Sequence, residues 1–257
     1  MKRFIQILLF VLFAASVAGV MGFIYIEQGK QPVKDVIIKI EQKSNKGFLN
    51  ESIIKNLISD YDSLLNKNAN QVKPAKIERD ILENPFVVSA DVFVDIDKNL
   101  IINIAEKEAL LRVYNRGNDG FYIDQSGNVM PLSTDYTARV MIANGYINVD
   151  LNESQLNILD TSYAKTPLPD LYELTKLISR NNFLKAQIGQ IYVNSQGEYD
   201  LIPQLGNHLI RFGTKENASQ KLENLELFYK EALIREGWDK YEVISLKYKN
   251  QVVCKRK

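Results

Sequence analysis

The stretch from Phe4 to Ile26 constrains this chain more than any other. It reads FIQILLFVLFAASVAGVMGFIYI and carries no charge. An apolar run of about 18 residues or more is the signature of a helix crossing a bilayer. Lipid offers no water to satisfy loose backbone groups, so a helix is the expected form. Lys2 and Arg3 precede the run, and Tyr25 sits at its far end. Basic flanks stay on the cytoplasmic side, and aromatic rings settle at the interface. This predicts a cytoplasmic tail at 1–3, a transmembrane helix at 4–26, and all later residues on the extracytoplasmic, periplasmic side. A cleaved signal peptide is the competing reading, because Ser16-Val17-Ala18 is a small-x-small site. Against it, the apolar run continues through Val20, Met21, Phe23, Ile24 and Ile26, past the end of a short signal core. Cys254 lies at the opposite end and outside any prenylation box, which argues against lipidation.

Beyond that segment, the 257-residue chain has room for one large domain or two ordinary ones. A hydrophobic fraction of 46% is enough for packed cores. Lys plus Arg total 32 against 31 acidic residues, and phosphate binding needs a basic excess, so nucleic acid is not an expected partner. One Cys forbids an intrachain disulfide, so an exported domain here must stand on packing alone. The single His, His208, allows a Ser-His-Asp arrangement at one place only.

Glu27 to Lys34 (EQGKQPVK) is polar and reads as a linker over 27–34. Asp35 to Glu41 (DVIIKIE) is rich in β-branched residues and reads as a strand. Asn50 is a candidate N-cap. Behind it Ile53, Ile54, Leu57, Ile58, Tyr61, Leu64 and Leu65 recur at helical spacing and give one apolar face. Pro74 fits the first position of a second helix, with Ile77, Ile81 and Leu82 as its buried stripe and Pro85 forcing its end. From Val87 to Ile96 the residues alternate. Val88, Ala90, Val92, Val94 and Ile96 face one way; Ser89, Asp91, Phe93 and Asp95 face the other. Asp97-Lys98-Asn99 makes a tight turn, and Leu100 to Lys107 returns as a partner strand.

The order strand, helix, helix, strand, strand resembles a POTRA domain. Asn84-Pro85-Phe86-Val87 followed by Ala90-Asp91-Val92 resembles the "Pro-aromatic-Val, then Ala-x-Val" pattern of the FtsQ/DivIB bacterial cell-division family. Asn99-Leu100-Ile101-Ile102-Asn103-Ile104 with Glu106-Lys107 is similar to the "Asn-Leu-x-Ile, then Glu-Arg-x-Pro" strand of that family, with Lys107 in place of Arg and Ala109 in place of Pro.

After Glu108 the pattern turns strand-rich. Phe121 to Met130 reads as a hairpin whose turn needs a positive φ at Gly127, and it resembles the family's "Val-Asp-x-x-Gly-x-Val" hairpin. Val140 to Ile147 reads as a strand broken by Asn144-Gly145. Leu171, Leu174, Leu177 and Ile178 mark a helix after Pro169. Ile188 to Val193, Tyr199 to Ile202 and His208 to Phe212 are strands, with turns at Ser195-Gln196-Gly197 and Gly206-Asn207. Leu222, Leu225, Phe228, Tyr229, Ala232 and Leu233 form the stripe of an amphipathic helix ending before Gly237. Val243 to Tyr248 and Gln251 to Cys254 are the last two strands. Ile244-Ser245-Leu246-Lys247-Tyr248 resembles the family's "hydrophobic-x-Leu-Arg-Tyr" strand, with Ser245 in place of Asp and Lys247 in place of Arg. The expected fold class is α+β: one transmembrane helix, a POTRA domain over 35–108, and a mainly antiparallel β-domain with flanking helices over 109–257.

Signals for chemistry are sparse. The chain has no phosphate-binding Gly-rich loop, HExxH, CxxC or GxSxG. His208 lies in an alternating strand beside a turn and reads as structural. Cys254 reads as a small packing residue. Glu106 and Glu108 share one strand face and could mimic an acid/base pair, but solvated edge carboxylates are commoner. Asp91, Asp95 and Asp97 read as a wet sheet face rather than a metal site. The sequons at Asn50, Asn152 and Asn217 would matter only in a eukaryotic secretory pathway. No cofactor site is expected.

The final strand is expected to be a sheet edge, with Val252 and Val253 open unless guarded by the tail Lys255-Arg256-Lys257 or by a strand added in trans. The family resemblance implies such a partner, an FtsB/DivIC-like or FtsL-like bitopic division protein. It also implies recruitment through the POTRA and a place at the division septum. The expected partner-binding residues are Lys247, Tyr248, Asn250, Gln251, Val252, Val253, Cys254 and Arg256, with Lys247 or Arg256 available to a partner carboxylate. The expected function is a non-enzymatic scaffold tethered to the bilayer by one helix. A membrane-tethered envelope enzyme using His208 or Glu106/Glu108 is the alternative from another class. A POTRA-bearing envelope assembly or secretion component is a third reading, disfavoured because no barrel-like series of alternating strands follows. A protease added outside the cytoplasmic membrane is expected to digest the chain from Lys30 onwards and leave the anchor. A mature N-terminus near Gly19, read by mass spectrometry, would overturn the span.

Overall fold

The computed structural model describes residues 9–20, 31–43, 46–117, 119–151 and 156–257. Residues 9–20 form a helix, α1, exposed along its length. Among the described residues no helix is long and apolar enough to cross a membrane. The other residues of the expected span, 4–8 and 21–26, lie outside the described residues, as do the tail at 1–3, residues 27–30 of the linker and the sequon at Asn152. The chain divides into two compact units, Met1–Glu106 and Lys107–Lys257.

The first unit runs β1 (Asp35–Glu41), α2 (Glu51–Leu57), α3 (Pro74–Leu82), β2 (Val87–Val94) and β3 (Asn99–Glu106), with short 3-10 turns between the helices. Its sheet order is β1-β3-β2. The central strand β3 pairs parallel with β1 and antiparallel with β2. Leu100, Ile102 and Ile104 of β3 are buried against Ile54 of α2 and Ile77 and Ile81 of α3. Asn50 caps α2 by accepting the Ile53 N–H at 2.9 Å. Pro74 lies in the first turn of α3, where its missing N–H is not needed.

Three expectations change here. The apolar stripe from Ile53 to Leu65 is not one helix: α2 stops at Leu57, Ile58 is extended, and Tyr61–Asn66 is a 3-10 turn. Beyond this break the Ser63 N–H and hydroxyl both donate to the Asp60 carbonyl, and the hydroxyl is the local side-chain competitor for the backbone. Leu82 is exposed rather than part of the α3 stripe. Val88 and Ile96 leave the inner face of β2, because a bulge between Val87 and Ser89 swings Val88 outward and the strand ends before Ile96.

The second unit holds a nine-stranded sheet. It comprises β4 (Ala109–Tyr114), β5 (Gly120–Asp124), β6 (Val129–Pro131), β7 (Met141–Gly145), β8 (Ile188–Val193), β9 (Tyr199–Pro203), β10 (Leu209–Gly213), β11 (Tyr241–Ser245) and β12 (Val253–Arg256), in the order β12-β11-β10-β9-β8-β7-β4-β5-β6. Neighbours are antiparallel except β4–β7, β7–β8 and β10–β11. Parallel neighbours need long crossovers. Helices α4 (Leu168–Arg180) and α5 (Asn182–Gln187) lie in the β7–β8 crossover. The β10–β11 crossover holds α6 (Ala218–Phe228), a π-helical turn at Tyr229–Leu233 and the short α7 (Ile234–Glu236). Leu111, Val113, Ile123, Ala143, Ile191, Leu201, Ile210 and Ile244 form one buried sheet face, packed with Leu171, Leu174, Ile178 and Leu225. The alternate residues Arg112, Tyr114, Asn144, Gln190, Tyr192, Asp200 and Arg211 are at least partly exposed. Asn144-Gly145 ends β7 instead of breaking it; Gly145 has φ +104, and a Cβ there would run into the Val193 carbonyl oxygen.

One turn design recurs. At Asp95, Asp124 and Asn194 a side-chain oxygen accepts the N–H four residues later, at 2.8, 2.8 and 3.0 Å. The residue before that N–H has positive φ each time: Lys98, Gly127 and Gly197. In the first unit, Ile81 is fully buried whereas Leu82 is 44% exposed. Ile81→Ala is expected to destabilise by about 2–5 kcal/mol, and Leu82→Ala by about 0.5 kcal/mol or less, measured by urea unfolding. Equal effects would show that α3 packs through another face.

Candidate partner-binding edge

β12 is the terminal strand of the sheet, with β11 as its one strand neighbour among the described residues. The pair is antiparallel: Ser245 faces Val253, Ile244 faces Cys254, Val243 faces Lys255 and Tyr241 faces Arg256, with a bulge between Tyr241 and Val243. In an antiparallel pair alternate residues point their N–H and C=O away from the neighbour. The outer side of β12 therefore presents unpaired backbone groups. Side chains alternate too. Val252 and Cys254 pack against the core, whereas Val253, Lys255 and Arg256 are exposed.

The expected site residues fall into three groups: those in β12, those in the connection before it, where Val252 also lies, and Lys247, whose charge is already paired. Val253, Cys254 and Arg256 lie in β12 itself. Tyr248, Asn250 and Gln251 lie in the exposed connection from β11, where the Gln251 N–H donates to the Tyr248 carbonyl and Asn250 takes a left-handed φ of 56°. Tyr248 is 58% exposed. Both strands differ from the expected bounds: β11 ends at Ser245, and β12 starts at Val253 and runs into the basic residues. Asn250 favours the left-handed turn, and the turn takes Leu246 to Val252 out of the ladder.

Lys247 is not free for a partner carboxylate. Its ammonium lies 2.7 Å from a Glu198 oxygen, and that pairing holds the Glu198 carboxyl below its ordinary value. Lys255 pairs with Glu242 at 2.7 Å, and Lys257 lies 3.8 Å from Asp239. Arg256 has no carboxylate partner among the described residues. Sequence reasoning missed Glu198, because a partner 49 residues away leaves no local pattern.

The residues considered for chemistry are held in structural roles. Glu106 accepts the Leu49 N–H at 2.8 Å and the Gln42 amide at 2.9 Å, which fastens the segment after β1. Glu108 accepts the Gln125 amide within the second unit. Asp95 caps its hairpin, while Asp91 and Asp97 are exposed. Among the described residues no cluster of His, Cys, Asp or Glu is placed to hold a metal ion. Burial pushes the Cys254 thiol up, away from the reactive thiolate. His208 is 3% exposed, with Nε2 2.6 Å from the Tyr229 hydroxyl. The nearby Gln187 amide donates to the Leu205 carbonyl. The His208 Nδ1 is buried without a hydrogen-bond partner among the described residues.

A β-α-α-β-β unit followed by a large mixed sheet with an uncovered terminal strand is the architecture of a POTRA-like domain joined to a β-domain. A family model described as FtsQ/DivIB, C-terminal related, matches residues 108–255, and a POTRA-like domain model matches residues 31–105. The cell division protein DivIB of Clostridium tetani (strain Massachusetts / E88) is 30% identical over 107 residues, which cover 39% of this chain and 38% of that protein. The match thus takes in well under half of the relative's length. The chain belongs to the FtsQ/DivIB family.

Burial depresses the His208 imidazole below its ordinary 6.5, and the Lys257 charge acts in the same direction. The unfolded chain therefore takes up this proton at higher pH than the folded one. The stability tied to neutral His208 is complete above about pH 6.5 and is lost as pH falls from there through the lower folded value. Melting temperature is expected to fall across that window, and His208→Phe is expected to flatten this part of the curve. An unchanged slope in the variant would place the acid sensitivity elsewhere.

Proposed function

We propose that this chain is a non-enzymatic scaffold of the bacterial division machinery, tethered to the cytoplasmic membrane by one helix at 4–26. Its POTRA-like domain, 35–108, and its β-domain, 109–257, work outside that membrane at the septum. The POTRA-like domain serves recruitment. The β-domain binds FtsB/DivIC-like and FtsL-like bitopic proteins by adding a partner strand to β12. The observation that carries this reading is the unpaired outer side of β12, with Val253, Tyr248 and Arg256 exposed around it. The name of the Clostridium tetani relative supports a division role. Strand addition takes affinity from main-chain hydrogen bonds and specificity from alternate side chains. Arg256 supplies a fork for a partner carboxylate.

Tyr248→Ala with Arg256→Glu changes two exposed side chains and should leave the melting temperature unchanged. The double variant is expected to lose at least about tenfold in affinity for a DivIC-like partner, equivalent to about 1.4 kcal/mol, measured by titration calorimetry. Unchanged affinity would move the partner site away from β12.

A further inference from the structure

The helix-free face of the nine-stranded sheet holds a guanidinium with no anion. Arg112 projects from the middle of β4, opposite Tyr122 on β5 and Ile142 on β7. Its guanidinium carbon lies 4.9 Å from the Tyr114 ring centroid and 5.5 Å from that of Tyr122. Tyr122 is fixed in turn, 1% exposed, with its hydroxyl accepting the Ala138 N–H. The two rings hold the cation in place by cation–π attraction. They do not satisfy its N–H groups. Nε is buried without an acceptor, and among the described residues no carboxylate or carbonyl meets Arg112. The acid on the same face of β5, Asp124, is committed to the turn N–H groups of Ser126 and Asn128.

The face next to Arg112 is not shaped for a small ion alone. Across β7 and β8 it continues through Ile142 and Gln190, which are paired, then Asn144 and Tyr192, which are paired. The Gln190 amide donates to the Asn144 oxygen at 2.8 Å. Arg112, Ile142 and Gln190 thus form one row across three adjacent strands at a spacing of about 4.8 Å, and Asn144 and Tyr192 form a second row two residues further along β7 and β8. That arrangement of groups fits a segment of polypeptide. We infer that this half of the sheet face, centred on Arg112, binds an extended acidic peptide segment of a partner protein, with Arg112 forking onto an Asp or Glu carboxylate. The charge complement lies in the site itself: a preordered, planar, unpaired guanidinium on a tract whose other members are neutral. Six strand spacings separate β4 from β12 in the sheet order, about 30 Å along a flat sheet. The surface is therefore separate from the proposed strand-addition edge, and the two can fail independently.

The test uses the full-length chain and fluorescein-labelled octapeptides in matched pairs, identical except for a central Glu or Gln, in backgrounds of Ser, Ala, Val and Tyr. Fluorescence anisotropy is expected to show Glu peptides binding at least tenfold more tightly than their Gln partners. Arg112→Gln should abolish the difference. Arg112→Lys keeps the charge and the stem, and it should lose most of the preference because an ammonium cannot fork. Tyr248→Ala with Arg256→Glu should leave it intact. Bound Glu peptide should also shield Arg112 from phenylglyoxal, read by mass spectrometry on the unaltered chain. The inference is overturned if the unaltered chain shows no Glu preference, or if the preference survives in Arg112→Gln. Displacement of the peptide by inorganic phosphate at equal concentration would overturn it as well, since it would identify a general oxyanion site.

Discussion

Helices cover the nine-stranded sheet on one face only, and the rest of the second unit follows from that. Two crossovers carry helices, β7 to β8 and β10 to β11. The pairings make β7, β8, β10 and β11 all parallel to one another, because β9 reverses the chain once between β8 and β10. Both crossovers also step toward β12. Strand–helix–strand connections of this kind are right-handed in about 98% of cases. Equal hand, equal direction and an equal step place both sets of helices on the same side. The opposite side then has no helix to bury it, so it favours polar and aromatic side chains, with Ile142 and the covered Met130 as exceptions. Arg112, Asn144, Gln190, Tyr192 and Asp200 meet that demand.

The two units treat their open edges differently. In the first unit β2 is an edge strand, and the α3 carboxylate of Glu78 accepts the Val92 N–H at 2.9 Å. One outward donor of that edge is thereby occupied from within the chain. β12 has no such cover among the described residues. It is instead short and basic, with Lys255 and Arg256 pointing outward. Basic edges deter pairing between copies of the same chain. They leave pairing with an acidic partner strand open. Glu198 and Glu242 draw off Lys247 and Lys255, so the unneutralised charge at this edge lies on Lys249 and Arg256.

Much of the architecture was legible in local pattern. Period-two alternation locates β2 and β10, Asn50 locates the start of α2, and Gly127 locates the hairpin that holds β5 and β6. Pattern failed where one residue shifts the phase. The bulge after Val87 exposes Val88, and nothing in Val87-Val88-Ser89 announces it. The turn at Tyr248 to Gln251 takes more residues than the two left between the expected final strands, which moves both of them. At the candidate edge the sequence could name basic residues but not sort them. Lys247, Lys255 and Arg256 look alike in the chain, and their difference comes from Glu198 and Glu242 on other strands. His208 was read as structural from its strand. Its bond to Tyr229 depends on a helix that returns to the sheet, which no local signal carries.

The short pairing of β12 links the edge to its proposed role. A strand held by one neighbour over four residues, with a bulge in the ladder, has few backbone bonds to keep it in place. Such segments sit at the low end of local stability. Its anchors are the inward side chains Val252 and Cys254, which pack on the same core as Ile244 and Leu246. A partner strand would give β12 a second neighbour, and its energy would go partly into ordering β12 itself. Ligands that bind only the ordered form stabilise that form. Inward packing of Val252 and Cys254 and outward pairing would then be coupled, although the two side chains never touch the partner. In the same way, the exposed row of Val253 and Lys255 would set which partner is accepted, while the buried row would set how much of the strand is ready to accept it.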